Sequence, residues 1–395
     1  MRTSLSPWVL SLLCVLGGRA VVAVQEPPAP QAVPAAQLQA AIDKLGDLDY
    51  LTRTNAARTV RRAPASQAMP ALLQAVAEHA DGYVRYRALV LMTGFNDPRT
   101  KDAMREALAS PNDRLRTVAY SFFEHNPDRS MVPALLAALD KEQAEFVRPA
   151  LVRALAAQGD DPRVRPALLR DVGRGQDFFR SVVIEALGDY KARYALDAVT
   201  AIAKLDGPLQ DDAALALGKF GDKRALETLA GLQRTAPRNA QPSIAAAICL
   251  LDVNCSTHEN YLVEVLKFAG GNAGFQDLLR AAASGLGALG VAGHAEAVEA
   301  LFEIGMPARD DATRAPVALA LGAVALRNTA LLMPMLEKHP NQDQAIALLA
   351  DGFDMLEEDL DKERFFAFAR RTFWGVAEGS PTRVLMQTLI GKLEF

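Results

Sequence analysis

Apolar residues recur along this chain at the three- and four-residue spacing of a helix that buries one face. Ala88, Leu89 and Met92 belong to one such run, and Val183 and Leu187 belong to another. Side chains that return at this spacing lie on one side of a helix, and that side must pack against a neighbour. The pattern therefore predicts a protein built from packed amphipathic helices.

These predicted helices begin at regular distances from one another. Each opens with a residue pair that ends in arginine, and the pairs follow at intervals of 32, 31, 32 and 32 residues: Thr52-Arg53, Val84-Arg85, Leu115-Arg116, Val147-Arg148 and Phe179-Arg180. At the next equivalent position, Asp212, the arginine is lost but the apolar helix continues. A second apolar run, such as Ala134-Leu135-Leu136, follows each of these helices. A fixed period of this length is typical of a repeat protein.

Helix start and stop signals alternate within the period. Asp97-Pro98 and Asp161-Pro162 each place an N-cap acceptor before a proline at the first helical position, and Leu187-Gly188 ends a helix with a C-cap glycine. A single helical hairpin cannot bury its apolar face, whereas stacked hairpins share one continuous core. We therefore predict an all-α fold, a right-handed α-solenoid of about ten stacked helical hairpins.

The residues that define this period resemble those of bacterial HEAT-like repeat proteins with short units of about 31 residues. The likeness depends on the arginine pairs, the Asp-Pro turns and the stretch from Ala186 to Leu196, and it covers roughly residues 50–340. Tetratricopeptide repeats are the closest competitor, but their Trp/Gly/Tyr pattern does not suit a chain with two Trp. After Pro237 the units lengthen and diverge, and we predict a C-terminal cap over residues 360–395.

The N-terminus has the features of a secretory signal. Arg2 precedes a short apolar core, and Val21-Val22-Ala23 supplies the small residues of a cleavage site. We predict a signal peptide over residues 1–23, a Pro/Ala-rich linker over 24–38 and the solenoid over 39–395. The expected location is the periplasm, the cell envelope or the exterior. The mature chain lacks the run of about 20 apolar residues that a transmembrane segment needs.

Composition and charge reduce the number of possible fold and function classes. Half of the residues are hydrophobic and 6% are aromatic, which favours closely packed helices rich in Ala and Leu. Residues 50–130 carry 12 basic and 8 acidic side chains, a net of +4, whereas residues 250–395 carry 12 and 20, a net of −8. Neither end forms the dense basic stripe of a nucleic-acid-binding protein, so no nucleic-acid partner is expected.

Cysteine, histidine and motif patterns give no positive sign of catalysis. The mature chain keeps Cys249 and Cys255, which either close a small disulfide loop or remain half-buried thiols. The five histidines lie in different repeats without metal-ligand spacing, so no metal site and no cofactor are expected. Hydrolase, phosphate-binding and haem-attachment motifs are missing, so we expect no catalytic residues and no enzyme activity.

The arginines of the repeat form the most regular polar feature of the sequence: Arg53, Arg85, Arg116, Arg148 and Arg180. One interpretation is a basic track for an anionic polymer. The other is a structural ladder, in which each guanidinium binds turn carbonyls or an acid one repeat away. The resemblance to HEAT-like proteins implies the structural ladder.

Two of the predicted second helices carry a denser basic set: Arg99, Lys101, Arg105, Arg163, Arg165, Arg170 and Arg174. Second helices commonly line the concave face of a solenoid, so this set is the candidate partner-binding surface. An ordinary solvated face is the alternative, because Asp160, Asp161 and Asp171 dilute the positive charge.

Together these features favour an exported scaffold or interaction protein that binds a protein or peptide partner on the concave face of the solenoid. One alternative is a non-catalytic or lyase-type accessory subunit of an enzyme system, which the resemblance implies but which would work in the cytosol. Another is a structural component of the cell envelope. The partner and the oligomeric state are left open.

Overall fold

The computed structural model describes residues 31–393 and residue 395. The predicted signal peptide and residues 24–30 of the predicted linker lie outside the described residues. The described chain consists of α-helices joined by short loops and 3₁₀ turns, and it contains no strand. The helices are α1 (Ala35–Asp43), α2 (Tyr50–Arg62), α3 (Ala65–Glu78), α4 (Gly82–Met92), α5 (Arg99–Ala107), α6 (Asp113–His125), α7 (Val132–Leu139), α8 (Arg148–Ala156), α9 (Val164–Val172), α10 (Asp177–Asp189), α11 (Leu196–Ala203), α12 (Gln210–Lys219), α13 (Leu226–Thr235), α14 (Gln241–Leu250), α15 (Cys255–Gly270), α16 (Gln276–Ala292), α17 (Ala295–Gly305), α18 (Asp311–Arg327), α19 (Thr329–Lys338), α20 (Gln342–Met355), α21 (Asp359–Gly375) and α22 (Pro381–Lys392).

The helices form two layers that confirm the predicted stack of hairpins. The even-numbered helices from α2 to α20 lie side by side in one layer, each in contact with the next. Each odd-numbered helix from α3 to α19 packs on the even-numbered helix that follows it and forms the second layer. Because every hairpin covers the apolar face of its neighbour, the core extends along the array, as two clusters that meet at α14.

Small residues bring neighbouring even-numbered helices very close together. A Cβ placed on Gly218 of α12 would lie 2.6 Å from the carbonyl oxygen of Ala247 of α14. A Cβ on Gly352 of α20 would lie 2.9 Å from the carbonyl carbon of Ala318 of α18. These positions have room for hydrogen only, which explains glycines inside helices where they would otherwise weaken the fold.

The solenoid begins slightly earlier than the sequence predicted. The first helix, α1, starts at Ala35, directly after Pro34, and buries Leu38 and Ile42 against α2 and α3. The predicted linker therefore overlaps this helix by four residues, from 35 to 38. Proline-rich sequence extends up to Pro34, but the alanines after it are good helix formers.

The C-terminal helices join the two ends of the array. Leu360, at the start of α21, packs into the apolar core of the first half, whereas Phe365 and Phe373 pack into the core of the second half. α21 also lies against α4, α6 and α18, and α22 covers α19 and α20. The region predicted as a cap therefore covers the last repeat and in addition reaches the first repeats, so the solenoid closes into a ring.

No single helix in residues 31–393 is long and apolar enough to cross a membrane. Taken together, α18 and α19 meet the length and composition needed, but they are bent relative to each other by 116°. Their apolar residues, including Leu321 and Leu332, are buried in the core.

Candidate partner-binding surface

The contacts of α21 show which layer of helices faces inward. α21 touches α4, α6 and α18 and, through Glu363, Arg61 of α2. All four are even-numbered, and a C-terminal helix can meet the first repeats only across the inside of the curve. The even-numbered helices from α2 to α20 therefore line the concave face and are termed the inner helices. The odd-numbered helices from α3 to α19 are termed the outer helices.

The basic residues predicted to bind a partner lie on or beside the outer helices α5 and α9, so the expectation that they line the concave face was wrong. Most of them pair with nearby acids. Arg99 pairs with Asp97 at 2.8 Å, and Arg163 pairs with Asp161 at 2.6 Å. Lys101 and Arg105 both pair with Asp128, and Arg170 pairs with Asp171 and Asp140. Arg165 donates to the Gly159 carbonyl, and Arg174 is exposed. Partner binding by this set stays a prediction.

An open groove of about 510 Å³ runs along this convex side between α3 and α5. Its walls include Val76, Ala103 and two arginines, Arg85 and Arg99. Both arginines already have partners, because Arg85 donates to the Val76 carbonyl at 2.7 Å and Arg99 pairs with Asp97. The groove therefore offers few unsatisfied polar groups to a ligand.

The arginines of the predicted ladder bind within the array. Arg53 Nη1 donates to the Asp47 carbonyl at 2.7 Å, and Arg180 Nε donates to the Val172 carbonyl at 3.0 Å. Arg116 donates to the Ser110 carbonyl and to Glu142 of the next repeat, and the Arg148 guanidinium lies 3.5 Å from the centre of the Phe179 ring. Each side chain thus ties the start of an inner helix to the preceding turn or to the following repeat.

The ladder continues beyond the point where the sequence pattern was lost. Arg314, at the start of α18, donates to the Gly305 carbonyl at 3.1 Å and pairs with Asp351. Gln210, Gln241 and Gln342 donate to the last carbonyls of the preceding outer helices. Glutamine supplies the same N–H donor without the charge, so a search for arginine alone misses these repeats.

One end of the concave face is filled by the chain itself. Glu363 of α21 binds Arg61 of α2 through contacts of 3.0 and 3.1 Å to Nε and 2.5 Å to Nη2. Asp359 contacts the Tyr86 hydroxyl and lies 3.4 Å from Arg87, and Asp361 lies 2.6 Å from His125. We name these polar contacts between α21 and the first inner helices the clasp.

Next to the clasp, charges form a chain across the ends of four inner helices. Arg153 binds Glu124 and Asp189 at 2.8 Å each, and Lys219 binds Asp189 at 2.6 Å. Burial raises the pKa of Asp189, but Lys219 and Arg153 outweigh burial and bring the pKa to about 2. Tyr190 donates to Glu124 at 2.7 Å. These charges are satisfied by one another, so this part of the inner face is structural.

Farther along, the inner face is open and acidic. A groove of about 280 Å³ crosses α12, α14 and α16. Its polar lining comprises Asp211, Asp212, Asn239, Ser243, Asp277, Arg280 and Ser284. Arg280 is paired with Asp277, which leaves the two carboxylates of α12 to give the groove its negative potential.

Asp212 is the most perturbed acid of this groove. Burial raises its pKa to about 6, although a hydrogen bond from the Ser181 hydroxyl opposes the rise. Asp211 and Glu185 raise it further, because like charges disfavour ionisation. A cation bound beside these three carboxylates would relieve their repulsion.

Two exposed aromatic residues lie at or just before the start of the inner helices α8 and α10. Phe146 is 59% exposed and Phe178 is 55% exposed. Phe146 lies in the turn two residues before α8 begins, and Phe178 is the second residue of α10, the helix that also carries Glu185. Aromatic residues are enriched at protein interfaces, so these two rings are candidates for contact with a partner.

Sequence reasoning missed the acidic groove, although one signal for it was visible. Asp212 stands where the period places an arginine, and the loss of the ladder residue coincides with the start of the acidic strip. Asp277 gives no comparable signal, because the repeats near it have irregular lengths.

Comparison with known proteins supports the repeat assignment. Residues 38–122 match the family model for HEAT repeats. No curated protein sequence matches the chain. Three of the similar solved structures are the complex of CpcE and CpcF of phycocyanin lyase from Nostoc sp. PCC7120 (22% identity, 66% of this chain and 97% of that chain, TM-score 0.41), importin beta (16%, 90% and 55%, 0.40) and Kap121p (12%, 91% and 45%, 0.41).

The match begins at Leu38, in the first helix of the array, and ends within α6. The same two-layer stacking of helices continues beyond it to α20. Residues 38–122 therefore match HEAT repeats, and the continuous stacking supports a HEAT-like solenoid over the rest of the described chain.

Proposed function

We propose that this protein is an exported scaffold that binds a basic protein or peptide segment in the acidic groove of its concave face. The observation that carries the proposal is the strip of carboxylates formed by exposed Glu185 and half-buried Asp211 and Asp212 on neighbouring inner helices. Attraction between unlike charges speeds association and selects partners by sign. A segment with lysine or arginine fits this surface best.

The exposed aromatic residues at the start of α8 and α10 suit the same kind of partner. Phe146 and Phe178 offer apolar area to the aliphatic part of a lysine or arginine side chain, and an aromatic ring also attracts the cation itself. Successive inner helices present these groups along a curved path, so an extended segment can contact several repeats at once. The clasp limits this path to the part of the inner face between α8 and α16.

The experiment compares two fluorescently labelled 12-residue peptides, one rich in lysine and one rich in glutamate, by fluorescence anisotropy with the mature chain. We expect only the lysine-rich peptide to bind, with an affinity that falls as salt rises. The variant Asp211→Asn/Asp212→Asn should weaken binding about five- to tenfold, since each exposed charge pair contributes up to about 1 kcal/mol.

A matched control removes two acids from the convex side, Asp102→Asn/Glu106→Gln on α5, and leaves the net charge equal to that of the groove variant. If both variants bind the lysine-rich peptide equally, attraction is due to net charge and the groove is not the site. Equal binding of both peptides by the parent chain would also refute the proposal.

Export is part of the same proposal and has its own test. Cell fractionation with N-terminal sequencing should recover a mature chain that begins at Val24, outside the cytosol. A cytosolic, unprocessed chain would instead favour the accessory-subunit alternative. Self-association without peptide binding, seen by light scattering, would favour the structural alternative.

A further inference from the structure

A cluster of metal-ligating side chains lies where two adjacent repeats meet. Cys249 is in the last turn of α14, Cys255 begins α15, and Glu259 is one turn later on the same side of α15. His294 caps the start of α17 in the next repeat. The two cysteines are joined by a disulfide in the structure. The candidate ligand atoms of both cysteines and His294 lie within 4.8 Å of one another.

The distance between the Cys255 sulfur and the His294 nitrogen is close to that of a tetrahedral zinc site. With Zn–S of about 2.3 Å and Zn–N of about 2.0 Å, a sulfur and a nitrogen ligand are about 3.5 Å apart. Cys255 Sγ lies 3.7 Å from His294 Nδ1. Glu259 Oε2 lies 4.0 Å from the same His294 Nδ1 atom. Small side-chain rotations would bring all these atoms to one point.

Glu259 has a feature that the protein fold alone does not explain. Its side chain is 12% exposed, and its Oε1 atom is buried without a hydrogen-bond partner among the described residues. A buried carboxylate oxygen without a partner destabilises a fold, because it has lost its hydration without gaining a hydrogen bond. A cation bound beside Cys255 and His294 would satisfy this oxygen.

We propose that the reduced protein binds Zn²⁺ through Cys249, Cys255, His294 and Glu259, and that the disulfide is the metal-free form of the same site. A dithiol reductant supplies two electrons and two protons to break the sulfur–sulfur bond and leave two thiols. Zinc binding then releases both thiol protons, because only thiolates bind the metal tightly. Two thiolates, one imidazole and one carboxylate form a ligand set that favours zinc over calcium or magnesium.

The two forms differ in what they connect. The disulfide links α14 to α15 within one hairpin, whereas the metal adds His294 and so links two adjacent repeats. No sequence motif indicates this site, since His294 is 39 residues from Cys255 and only stacking of the repeats brings them together. The proposal departs from the expectation that the chain has no metal site.

The test uses the mature chain reduced with a phosphine and titrated with Co²⁺, which occupies zinc sites and reports thiolate ligands by charge-transfer absorption. We expect one equivalent to bind with tetrahedral spectra, to be displaced by Zn²⁺, and not to bind the oxidised chain. His294→Ala and Glu259→Gln should each weaken binding at least tenfold. Loss of a residue that only orients a metal ligand typically lowers affinity about 10- to 100-fold, and these two residues are ligands themselves.

His258→Ala is the matched control, because this histidine is on the same helix but outside the cluster. It should bind Co²⁺ like the parent chain, and circular dichroism should show that every variant remains helical. Binding that is unchanged in His294→Ala, or lost equally in His258→Ala, would overturn the proposal. So would absence of binding by the reduced parent chain.

Discussion

Replacing Glu363 with glutamine should open the ring. Glu363 is 3% exposed and Arg61 is 8% exposed, so neither charge is hydrated. Two further arginines, Arg87 and Arg370, lie close by. Burial lowers the pKa of both, and the positive charge of Arg61 lowers it further, to about 10 for Arg370. Glu363 is thus a negative charge beside one buried cation, Arg61, and two half-buried ones, Arg87 and Arg370.

The expected loss of stability follows from this environment. Removing one partner of a buried ion pair typically destabilises a protein by about 3–5 kcal/mol, because the other charge is left without compensation. With three arginines sharing the site, we expect Glu363→Gln to lie at the upper end of that range. Asp102→Asn is the control: it breaks an ion pair with Arg105 whose partners are 74% and 41% exposed, and it should change stability by less than about 1 kcal/mol.

Two measurements separate ring opening from general destabilisation. Urea unfolding gives the change in free energy, and small-angle X-ray scattering gives the radius of gyration of the native chain. Glu363→Gln should enlarge the radius under native conditions, whereas Asp102→Asn should not. The double variant Arg61→Met/Glu363→Leu should recover part of the lost stability, since it removes one of the three arginine charges together with Glu363. A loss below about 1 kcal/mol with an unchanged radius would refute this account of the clasp.

Two other predictions concern the inner helices. Gly218→Ala should destabilise the chain by about 1–3 kcal/mol or more, because its Cβ would overlap Ala247 of the next inner helix. The control is Gly231→Ala on α13, where an added Cβ would have nothing within 4 Å, and it should stabilise the chain by about 0.5–1 kcal/mol. Equal effects of the two substitutions in thermal unfolding would contradict the packing argument. Asp212→Asn should stabilise the chain by about 1–3 kcal/mol at pH 7 and leave it unchanged near pH 3.5. The folded-state pKa of Asp212, raised to about 6, lies above its unfolded value. The parent chain therefore keeps its full stability below about pH 4 and loses stability as the pH rises through 6. Urea unfolding at both pH values checks this, and a gain in stability that does not depend on pH would contradict it.

The repeat could be predicted from the sequence because its determinants are local. Each hairpin carries its own apolar faces and caps, and the interval between Arg53 and Arg85 recurs with little change. The inward-facing layer was assigned wrongly, because curvature depends on how closely neighbouring helices approach. That approach is set by contacts such as Gly218 with Ala247, between residues of different repeats.

The clasp was not predicted either, although the sequence contained a sign of it. Residues 50–130 carry a net charge of +4 and residues 250–395 a net of −8. The complementary signs agree with the contacts of Arg61 and Arg87 with Glu363 and Asp359. Net charge does not say which residues meet, because that depends on how far the array curves over ten inner helices.

Arg61 and Glu363 are 302 residues apart in the sequence. Joining two points that far apart in an unfolded chain would carry an entropy penalty of about 5 kcal/mol. In the folded array most of that entropy has already been lost before the ring closes, because each stacked hairpin fixes the direction of the next. Ring closure therefore belongs to the last stage of folding, and it removes the free ends from which an open repeat array would otherwise begin to fray.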